Sequence, residues 1–284
     1  MTIACFDIGG TDVKFAAIRN KEILQRESCP TPKSLADLVN WIEKQVRPTS
    51  DVLAISISLP GSVDPKTGIV AGISAVPYIH GPSWFDILAF LNLPIFMEND
   101  ANCVGLSQLA AQGELENFAC VVIGTGIGGA VVLDRKLIRG WKGYAGEFGY
   151  MLSDPLTNWS QKASTGNMVA GVRRAKAELD WDGVAIYKAA AEGDPVCQTA
   201  LQNMYDELAL GLITIFYCLG TKDIFLGGAI SQNREFLAGV QASLQSIQAR
   251  NSDIPELPTV QACHFHGDAN LMGAYMLATD GLAH

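Results

Sequence analysis

The stretch Pro94-Ile95-Phe96-Met97-Glu98-Asn99-Asp100-Ala101-Asn102 decides how the chain is interpreted. Its apolar first half predicts a buried strand, and the Ala- and Leu-rich residues 101–111 predict a helix. Three polar side chains, Glu98, Asn99 and Asp100, therefore end a strand and begin a helix. In open α/β sheets this edge binds ligands, so Asp100 is a candidate general base and Asn99 a candidate ligand of a substrate hydroxyl. The alternative is that Asn99 or Asp100 only caps the helix, a position that both residue types favour.

Composition indicates a globular chain with a substantial core. Of the 284 residues, 49% are hydrophobic and 17% are charged, which excludes a disordered chain. The length predicts two domains or one large bilobal fold. The net charge is −9 and there is no basic cluster. This argues against nucleic acid as a partner, because nucleic-acid binding relies on Lys and Arg to neutralise phosphates.

The cysteines indicate a reducing compartment. The chain has seven, widely scattered, with no C-x-x-C pair and no Cys/His cluster. No basic segment followed by a long apolar segment opens the chain, so we expect no signal peptide. The longest apolar helical stretch, residues 208–219, is too short to span a bilayer. We therefore expect a cytoplasmic protein with no membrane partner.

A glycine turn near the N-terminus, Asp7-Ile8-Gly9-Gly10-Thr11-Asp12-Val13-Lys14, joins two predicted strands. Such a turn leaves backbone N–H groups pointing outward, and glycine allows a phosphate to approach closely. Thr11 adds a hydroxyl, Lys14 a positive charge, and Asp7 a carboxylate that can hold Mg²⁺ through water. The pattern D-x-G-G-T-x-x-K predicts a phosphate loop, and the alternative is an ordinary hairpin.

A second glycine turn, Gly124-Thr125-Gly126-Ile127-Gly128-Gly129, follows the predicted buried strand Phe118–Ile123. A strand comes after this turn, whereas a dinucleotide-binding fingerprint must open a helix, so we reject that interpretation. Two strand–turn–strand units indicate two similar domains that both direct backbone N–H groups at one polyphosphate. A third turn, Gly227-Gly228-Ala229, suits the sugar or base of a nucleotide; a close helix–strand contact is the alternative.

Two further turns contain candidate substrate contacts. In Leu59-Pro60-Gly61-Ser62-Val63-Asp64, Gly61 can bring the backbone close to a ligand. Residues 139–150 hold four glycines around Glu147. A buried, glycine-flanked carboxylate often accepts hydrogen bonds from hydroxyls, and the alternative is a structural turn with a solvated Glu147.

Taken in order, these motifs resemble those of the ROK family (repressors, open reading frames, kinases), and the resemblance spans nearly the whole chain. It implies an α/β, two-domain, actin-like or hexokinase-like (ribonuclease H-like) ATPase fold. The small domain is expected to comprise residues 1–107 plus 268–284, and the large domain residues 108–267. The family also implies phosphorylation of a sugar hydroxyl with ATP and Mg²⁺ as cofactors. The matching motifs are residues 7–14, 60–64, 98–102, 124–129, 146–149 and 226–229.

The resemblance implies a role for each matching residue. Asp100 matches the family's catalytic base, Asn99 and Glu147 match ligands of the sugar hydroxyls, and Gly61 lines the sugar pocket. Asp7 is expected to hold Mg²⁺ through water, and Gly228 lies on the adenosine side. The full set expected to contact the nucleotide is Asp7, Gly9, Gly10, Thr11, Lys14, Thr125, Gly126 and Gly228.

The chain departs from the family pattern after the Gly-Glu-x-Gly motif. The family has a His there, then a cysteine-rich zinc loop and a second Glu. This chain has Tyr150 and Gln161 at the two positions, and residues 152–164 contain no cysteine. A structural zinc site needs four ligands, so we expect no zinc, with Trp159 anchoring the loop instead. Tyr150 and Gln161 become the expected sugar contacts.

Zinc-free relatives in the family include kinases for β-glucosides and for N-acetylmannosamine. The resemblance therefore favours the 6-hydroxyl of a glucoside as acceptor, with N-acetylmannosamine or another hexose as the alternative. The chain starts at the phosphate motif, so we expect no helix-turn-helix domain and no nucleic-acid partner. Family relatives are often dimers, which allows a homodimer. A sugar-sensing protein without activity is a further alternative, although Asp7, Lys14, Asn99, Asp100 and Glu147 are all present.

Overall fold

A computed structural model of the chain describes residues 2–283. The strands are β1 (Thr2–Ile8), β2 (Asp12–Arg19), β3 (Glu22–Pro30), β4 (Val52–Leu59), β5 (Ser62–Asp64), β6 (Ile69–Ala71), β7 (Ile95–Asn99), β8 (Phe118–Ile123), β9 (Ile127–Leu133), β10 (Lys136–Ile138), β11 (Leu152–Asp154), β12 (Thr157–Asn158), β13 (Asp223–Gly227) and β14 (Thr259–Ala262). The helices are α1 (Leu35–Val46), α2 (Trp84–Ile87), α3 (Asp100–Ala111), α4 (Ser160–Ala163), α5 (Thr165–Lys176), α6 (Gly183–Ala191), α7 (Pro195–Leu219), α8 (Arg234–Arg250) and α9 (Ala269–Ala283).

These elements form two compact units. The first unit contains the chain up to Glu114, the segment Arg139–Ala145 and the chain from Gly267 onward. The second contains Leu115–Ile138 and Gly146–His266. Each unit has its own five-stranded sheet and its own apolar core. The domain boundaries near residues 107 and 268 stay a prediction from the sequence.

The sheet of the first unit has the order β3-β2-β1-β4-β7. β1, β4 and β7 are parallel, whereas β2 and β3 are added as antiparallel strands at one side. Most residues of β1 and β4 are buried, in keeping with their continuous apolar runs. Because parallel strands end at the same edge of a sheet, the residues that end β1, β4 and β7 lie side by side.

Helix α1 shows how local sequence determines an element of this unit. Ser34 caps its N-terminus by accepting a hydrogen bond from the backbone N–H of Asp37 at 3.2 Å. The buried residues Leu38, Ile42 and Val46 recur at helical spacing and pack in the core of the unit. Local capping and apolar periodicity are therefore sufficient to explain this helix.

Helices α3 and α9 pack closely against each other. A Cβ atom on Gly273 would lie 1.9 Å from the backbone oxygen of Cys103, so only glycine permits this approach. α9 also packs on β1, β4 and β7. The last helix therefore covers the strands whose ends carry the polar residues of interest.

The sheet of the second unit has the order β10-β9-β8-β13-β14. β8, β13 and β14 are parallel, and β9 and β10 are antiparallel additions. The long helix α7 packs against α8; Asp194 caps its N-terminus and Gly220, with φ +66°, ends it. Both units therefore repeat one sheet topology, which is the α/β, actin-like arrangement expected.

One strand of the first unit has no signal in the sequence. Most side chains of β3 are exposed and polar, so no apolar alternation marks it.

Within residues 2–283, no helix combines the length and the apolar character needed to cross a bilayer.

Candidate active site

The carboxyl ends of β1, β4 and β7 bring three polar side chains into one row. In the register of the parallel strands Asp7 lies opposite Ser58, and Ser58 lies opposite Glu98. Because neighbouring strands are about 4.8 Å apart, the backbones at the two ends of the row are about 10 Å apart. The hydroxyl of Ser58 donates a hydrogen bond to Oδ1 of Asp7 at 3.2 Å. Ligands of open α/β sheets bind at this kind of edge.

Asn99 joins two parts of this edge. Its Oδ1 accepts a hydrogen bond from the backbone N–H of Asn102 at 3.1 Å and so caps α3. Its Nδ2 donates to the backbone oxygen of Gly61 at 3.0 Å. The capping alternative is therefore correct for Asn99, but the same amide also holds the Gly61 turn. An Asn side chain has two donors and two acceptor sites, so these two bonds leave capacity for a ligand.

Asp100 is the first residue of α3 and is half-buried. Its Oδ1 accepts a hydrogen bond from the backbone N–H of Ala101 at 2.8 Å. The N-terminus of a helix favours a negative charge by about 0.3–1 kcal/mol. The position therefore suits a carboxylate, and Asp100 is the candidate general base at this edge.

Glu98 forms a buried ion pair that no local sequence pattern reveals. Its side chain is almost fully buried, and its Oε2 lies 2.6 Å from Nη2 and 2.7 Å from Nε of Arg139. Its Oε1 accepts hydrogen bonds from the backbone N–H of Asn99 at 3.0 Å and from Nδ2 of Asn102 at 2.9 Å. A buried charge of this kind is tolerated only with such partners. The pair fixes the segment that begins at Arg139 to the start of α3.

The turn at Gly61 is shaped by close packing. Gly61 has φ +105°, and a Cβ atom there would lie 2.9 Å from the backbone oxygen of Ala71 and 3.1 Å from Cε1 of His80. Nε2 of His80 lies 2.8 Å from Oγ of Ser74. Its buried Nδ1 has no hydrogen-bond partner within residues 2–283. Glycine is required at this turn, and His80 is a polar neighbour of it that the motifs do not contain.

Asp7 places a carboxylate just before the first glycine turn. Burial raises the pKa of Asp7, against the opposing effects of Asn270, Lys14 and Ser58. Nδ2 of Asn270 donates to Oδ1 at 2.8 Å, and Nζ of Lys14 lies 3.7 Å from Oδ2. A bound cation favours the ionised carboxylate. Because Mg²⁺ usually takes one or two carboxylates together with phosphate oxygens and water, the residues present fit this metal.

The first glycine turn is held by hydrogen bonds on its inner side. The backbone N–H of Gly9 donates to the oxygen of Asp12 at 3.0 Å, and Oγ1 of Thr31 donates to the oxygen of Gly9 at 2.6 Å. Gly10 and Thr11 are exposed. A fixed and exposed glycine turn beside a Lys side chain is suited to phosphate oxygens.

The second glycine turn is equally fixed but belongs to the second unit. The backbone N–H of Gly124 donates to the oxygen of Gly126 at 2.9 Å, and that of Gly166 donates to the oxygen of Gly124 at 3.1 Å. Gly124, Thr125 and Gly126 are all exposed. Their backbone is therefore accessible to a ligand, with the Thr125 hydroxyl on the same turn.

Gly228 lies directly beside this second turn. It has φ +88°, and a Cβ atom there would lie 2.0 Å from the backbone oxygen of Ile123. A close backbone contact therefore explains the glycine, as the alternative from the sequence stated. Since Ile123 immediately precedes Gly124, the same contact places Gly228 next to the turn, and Gly228 is itself exposed.

Glu147 lies on a segment that is pressed against β9. A Cβ atom on Gly146 would lie 2.5 Å from the oxygen of Gly129, and one on Gly149 would lie 2.1 Å from the oxygen of Ile127. The glycines around Glu147 are thus required by packing. Glu147 itself is half-buried, where the sequence motif indicated a buried carboxylate. Burial raises the pKa of its carboxyl group.

The two positions that depart from the family pattern are both exposed. The side chain of Tyr150 is 70% exposed. Oε1 of Gln161 accepts a hydrogen bond from the backbone N–H of Asn158 at 3.0 Å, so part of its amide is used in a local turn. An ion pair connects Asp7 with Lys14, and a hydrogen bond connects Asn99 with Gly61. No hydrogen bond joins Tyr150 to Gln161 in the described chain.

Trp159 anchors the loop of residues 152–164 to α7. Its side chain is buried, and its Nε1 donates to the backbone oxygen of Glu207 at 2.8 Å. A Cβ atom on Gly211 would lie 2.1 Å from the indole ring, so α7 is shaped to accept it. Residues 2–283 contain no cluster of three or more His, Cys, Asp or Glu side chains suited to a metal. That the chain binds no zinc stays a prediction.

The repeated sheet topology and the glycine hairpin in each unit define the actin-like, hexokinase-like ATPase fold. A sequence model described as the ROK family matches residues 3–281, and the chain belongs to this family. The resemblance drawn from the motifs is therefore confirmed.

Relatives with known names are similar over nearly the whole chain. The β-glucoside kinase of Listeria monocytogenes is 30% identical, with 96% of each chain covered. A solved ROK family protein from Streptococcus pneumoniae, in complex with sucrose, is 47% identical, with a TM-score of 0.94 and coverage of 99% of this chain and 100% of that one. A ROK glucokinase from Streptomyces griseus, in complex with glucose and AMPPNP, is 27% identical, with a TM-score of 0.85 and coverage of 99% and 100%.

Proposed function

We propose that this protein transfers the γ-phosphoryl group of ATP to the 6-hydroxyl of a glucosyl unit in a β-glucoside. The coarser statement, that the chain is a carbohydrate kinase, is supported by relatives named as a β-glucoside kinase and a glucokinase. The single observation that supports catalysis by this chain is the edge of the first sheet. There Asp7, Asn99 and Asp100 lie at or just after the carboxyl ends of parallel strands and are held by hydrogen bonds.

Asp100 is proposed as the general base. It accepts the proton of the attacking sugar hydroxyl, a contribution of about 10²–10⁴-fold in rate for general base catalysis. Asn99 holds a sugar hydroxyl with the amide capacity left after its bonds to Asn102 and Gly61. Glu98 is a positioning residue, because its bonds to the Asn99 backbone and to Arg139 fix the geometry of this pair without reaching the substrate.

The first glycine turn is proposed to bind the phosphates of ATP. The backbone N–H of Gly10 and the hydroxyl of Thr11 would donate hydrogen bonds, and Lys14 would offset negative charge on the transferred group. Gly9, whose N–H is bonded to Asp12, would let the phosphates approach the turn closely. Asp7 would hold Mg²⁺ through water, and the metal ion supplies further charge neutralisation of the phosphate oxygens when bound. Phosphoryl transfer depends mostly on such positioning and electrostatics.

In the second unit, Thr125, Gly126 and Gly228 are proposed as nucleotide contacts. Glu147, Tyr150 and Gln161 are proposed as sugar contacts. The exposure of Tyr150 and Gln161 leaves their surroundings open, which agrees with a substrate larger than one hexose. The similar Streptococcus pneumoniae protein was solved in complex with sucrose, a disaccharide whose glucosyl unit is α-linked, which supports room for a second ring and does not bear on the β-linkage.

The first experiment is ADP release in a coupled assay, with glucose, N-acetylmannosamine and the β-linked disaccharides cellobiose and gentiobiose as acceptors. We expect the highest kcat/KM on a β-linked disaccharide and loss of turnover when EDTA removes the metal. Turnover confined to N-acetylmannosamine would keep the kinase but contradict the proposed acceptor. No turnover on any sugar, with sugar-dependent thermal stabilisation still present, would favour a sugar-sensing protein without activity.

A further inference from the structure

Two exposed aromatic side chains lie together on the segment Arg139–Ala145 of the first unit. The side chain of Trp141 is 74% exposed and that of Tyr144 is 55% exposed. Their ring centroids are 5.9 Å apart, with an angle of 30° between the ring planes. Nζ of Lys142 lies 4.7 Å from the centroid of the Trp141 ring. Large apolar rings exposed in this way, with an ammonium group over one of them, are typical of a ligand-binding surface.

The backbone under these rings is held in a specific conformation. Lys142 has φ +50° and Gly143 has φ +79°, so the segment makes a tight left-handed turn. The backbone N–H of Tyr144 donates to the oxygen of Trp141 at 3.1 Å, and that of Ala145 donates to the oxygen of Arg139 at 3.1 Å. A non-glycine residue with positive φ persists only where its surroundings impose it. The aromatic pair is therefore presented by an ordered segment.

Two bonds join this segment to the proposed sugar-binding edge of the same unit. At its start, Arg139 forms the ion pair with Glu98, the residue before Asn99. In its middle, the backbone oxygen of Lys142 accepts a hydrogen bond from Oγ of Ser62, the residue after Gly61, at 2.8 Å. The segment that carries the aromatic pair is therefore bonded to Glu98 and to Ser62. These two residues are the sequence neighbours of Asn99 and Gly61, which bond to each other.

We propose that Trp141 and Tyr144 form a subsite for the second sugar ring of a disaccharide whose first ring is bound at Asn99. This inference rests on the proposed function. The C–H face of a pyranose ring is apolar and packs on aromatic rings, while its hydroxyls reach water or a cation at the edge. The ammonium of Lys142, which lies over the Trp141 ring, provides that cation, and the exposed remainder of the two rings receives the sugar. The subsite binds substrate and takes no part in the transfer of the phosphoryl group.

The test compares dissociation constants for cellobiose and glucose, measured by titration calorimetry, with turnover on the same two sugars. Trp141→Ala is expected to weaken cellobiose binding about tenfold and glucose binding by less than about twofold. Tyr144→Ala is expected to act in the same direction with a smaller effect. Trp141→Phe keeps an aromatic face and is expected to restore most of the affinity. Ile73→Ala, which alters an almost fully exposed apolar residue of the same unit, is the control.

The two proposals fail in different ways. If the wild-type protein binds cellobiose but phosphorylates neither sugar, the proposed function is wrong. The subsite is then still tested by the effect of Trp141→Ala on the dissociation constants for cellobiose and glucose. An equal loss of affinity for both sugars in Trp141→Ala, or no loss for either, would overturn the subsite. Absence of cellobiose binding by the wild-type protein would overturn it as well.

Discussion

The two glycine turns have the same strand–turn–strand construction but differ in charge. In the first, the antiparallel register pairs Asp7 with Lys14 just before the turn. In the second turn, the pair at the equivalent position is Val122 with Gly128, and neither residue is charged. Both turns expose backbone to a ligand, but only the first places a carboxylate and a cation beside it. Backbone geometry does not distinguish the two turns, whereas the charge at the first turn is the reason that we propose it for the reacting phosphate and its metal.

Among the tests of this comparison, the largest expected effect comes from removing the positive charge at the first turn. Lys14→Met is expected to lower kcat about 10²–10³-fold, because a charge aimed at the transferred group is lost. Steady-state ADP release with saturating sugar measures it. Lys33→Met, at an exposed position of the same unit, is the control and is expected to keep wild-type turnover. A Lys14→Met enzyme with normal kcat would remove the distinction between the two turns.

A second test concerns the packing of the second turn. Gly228→Ala is expected to lower the free energy of unfolding by about 2–4 kcal/mol, because the new Cβ meets the Ile123 backbone in a left-handed conformation. Urea denaturation measures this change. Gly124→Ala is the matched control: no described atom lies within 4 Å of its Cβ position, and its φ is not positive. Its effect is expected to stay below about 1 kcal/mol. Equal effects of the two substitutions would contradict the packing argument.

A smaller effect is expected at the hydroxyl of the second turn. Thr125→Ala removes one neutral hydrogen-bond donor, so KM for ATP is expected to rise about two- to tenfold with little change in kcat. Initial rates at varied ATP give both constants. A fall in kcat as large as that of Lys14→Met would show that the second turn acts on the reacting group, and the comparison would fail.

The smallest expected effect is a dependence of stability on pH. Burial raises the pKa of Asp7 in the folded state, so folding favours its protonated form. This contribution to stability is present below the ordinary pKa of 3.8 and is lost as the pH rises through the raised value. From the raised pKa up to neutral pH, in metal-free buffer, the free energy of unfolding of Asp7→Asn should therefore be higher than that of the wild type. Denaturation curves across this range that run parallel for the two proteins would contradict the expectation.

Much of the fold follows from local sequence. Continuous apolar runs mark β1, β4 and β8, and Ser34 and Asp194 mark helix starts by capping chemistry. An edge strand such as β3 escapes prediction because pairing with a neighbour, and not burial, makes it a strand.

The site was predictable only where its residues are adjacent in sequence. The Glu98-Asn99-Asp100 run and the first glycine turn are visible as motifs. The partners that hold them are far away: Arg139 is 41 residues from Glu98, and Asn270 is 263 residues from Asp7. The first pair arises because the segment Arg139–Ala145 belongs to the first unit, and the second because α9 packs on β1. No short sequence pattern contains either relation.

The assignment of Asp100 as general base has the most direct test in the account. Asp100→Asn keeps the shape of the side chain and removes its ability to accept a proton. We predict a fall in kcat of about 10²–10⁴-fold, with dissociation constants for ATP and cellobiose changed by less than about threefold in calorimetry. Asp86→Asn, at an exposed position of the same unit, serves as the control. An Asp100→Asn protein that turns over at the wild-type rate would contradict the account.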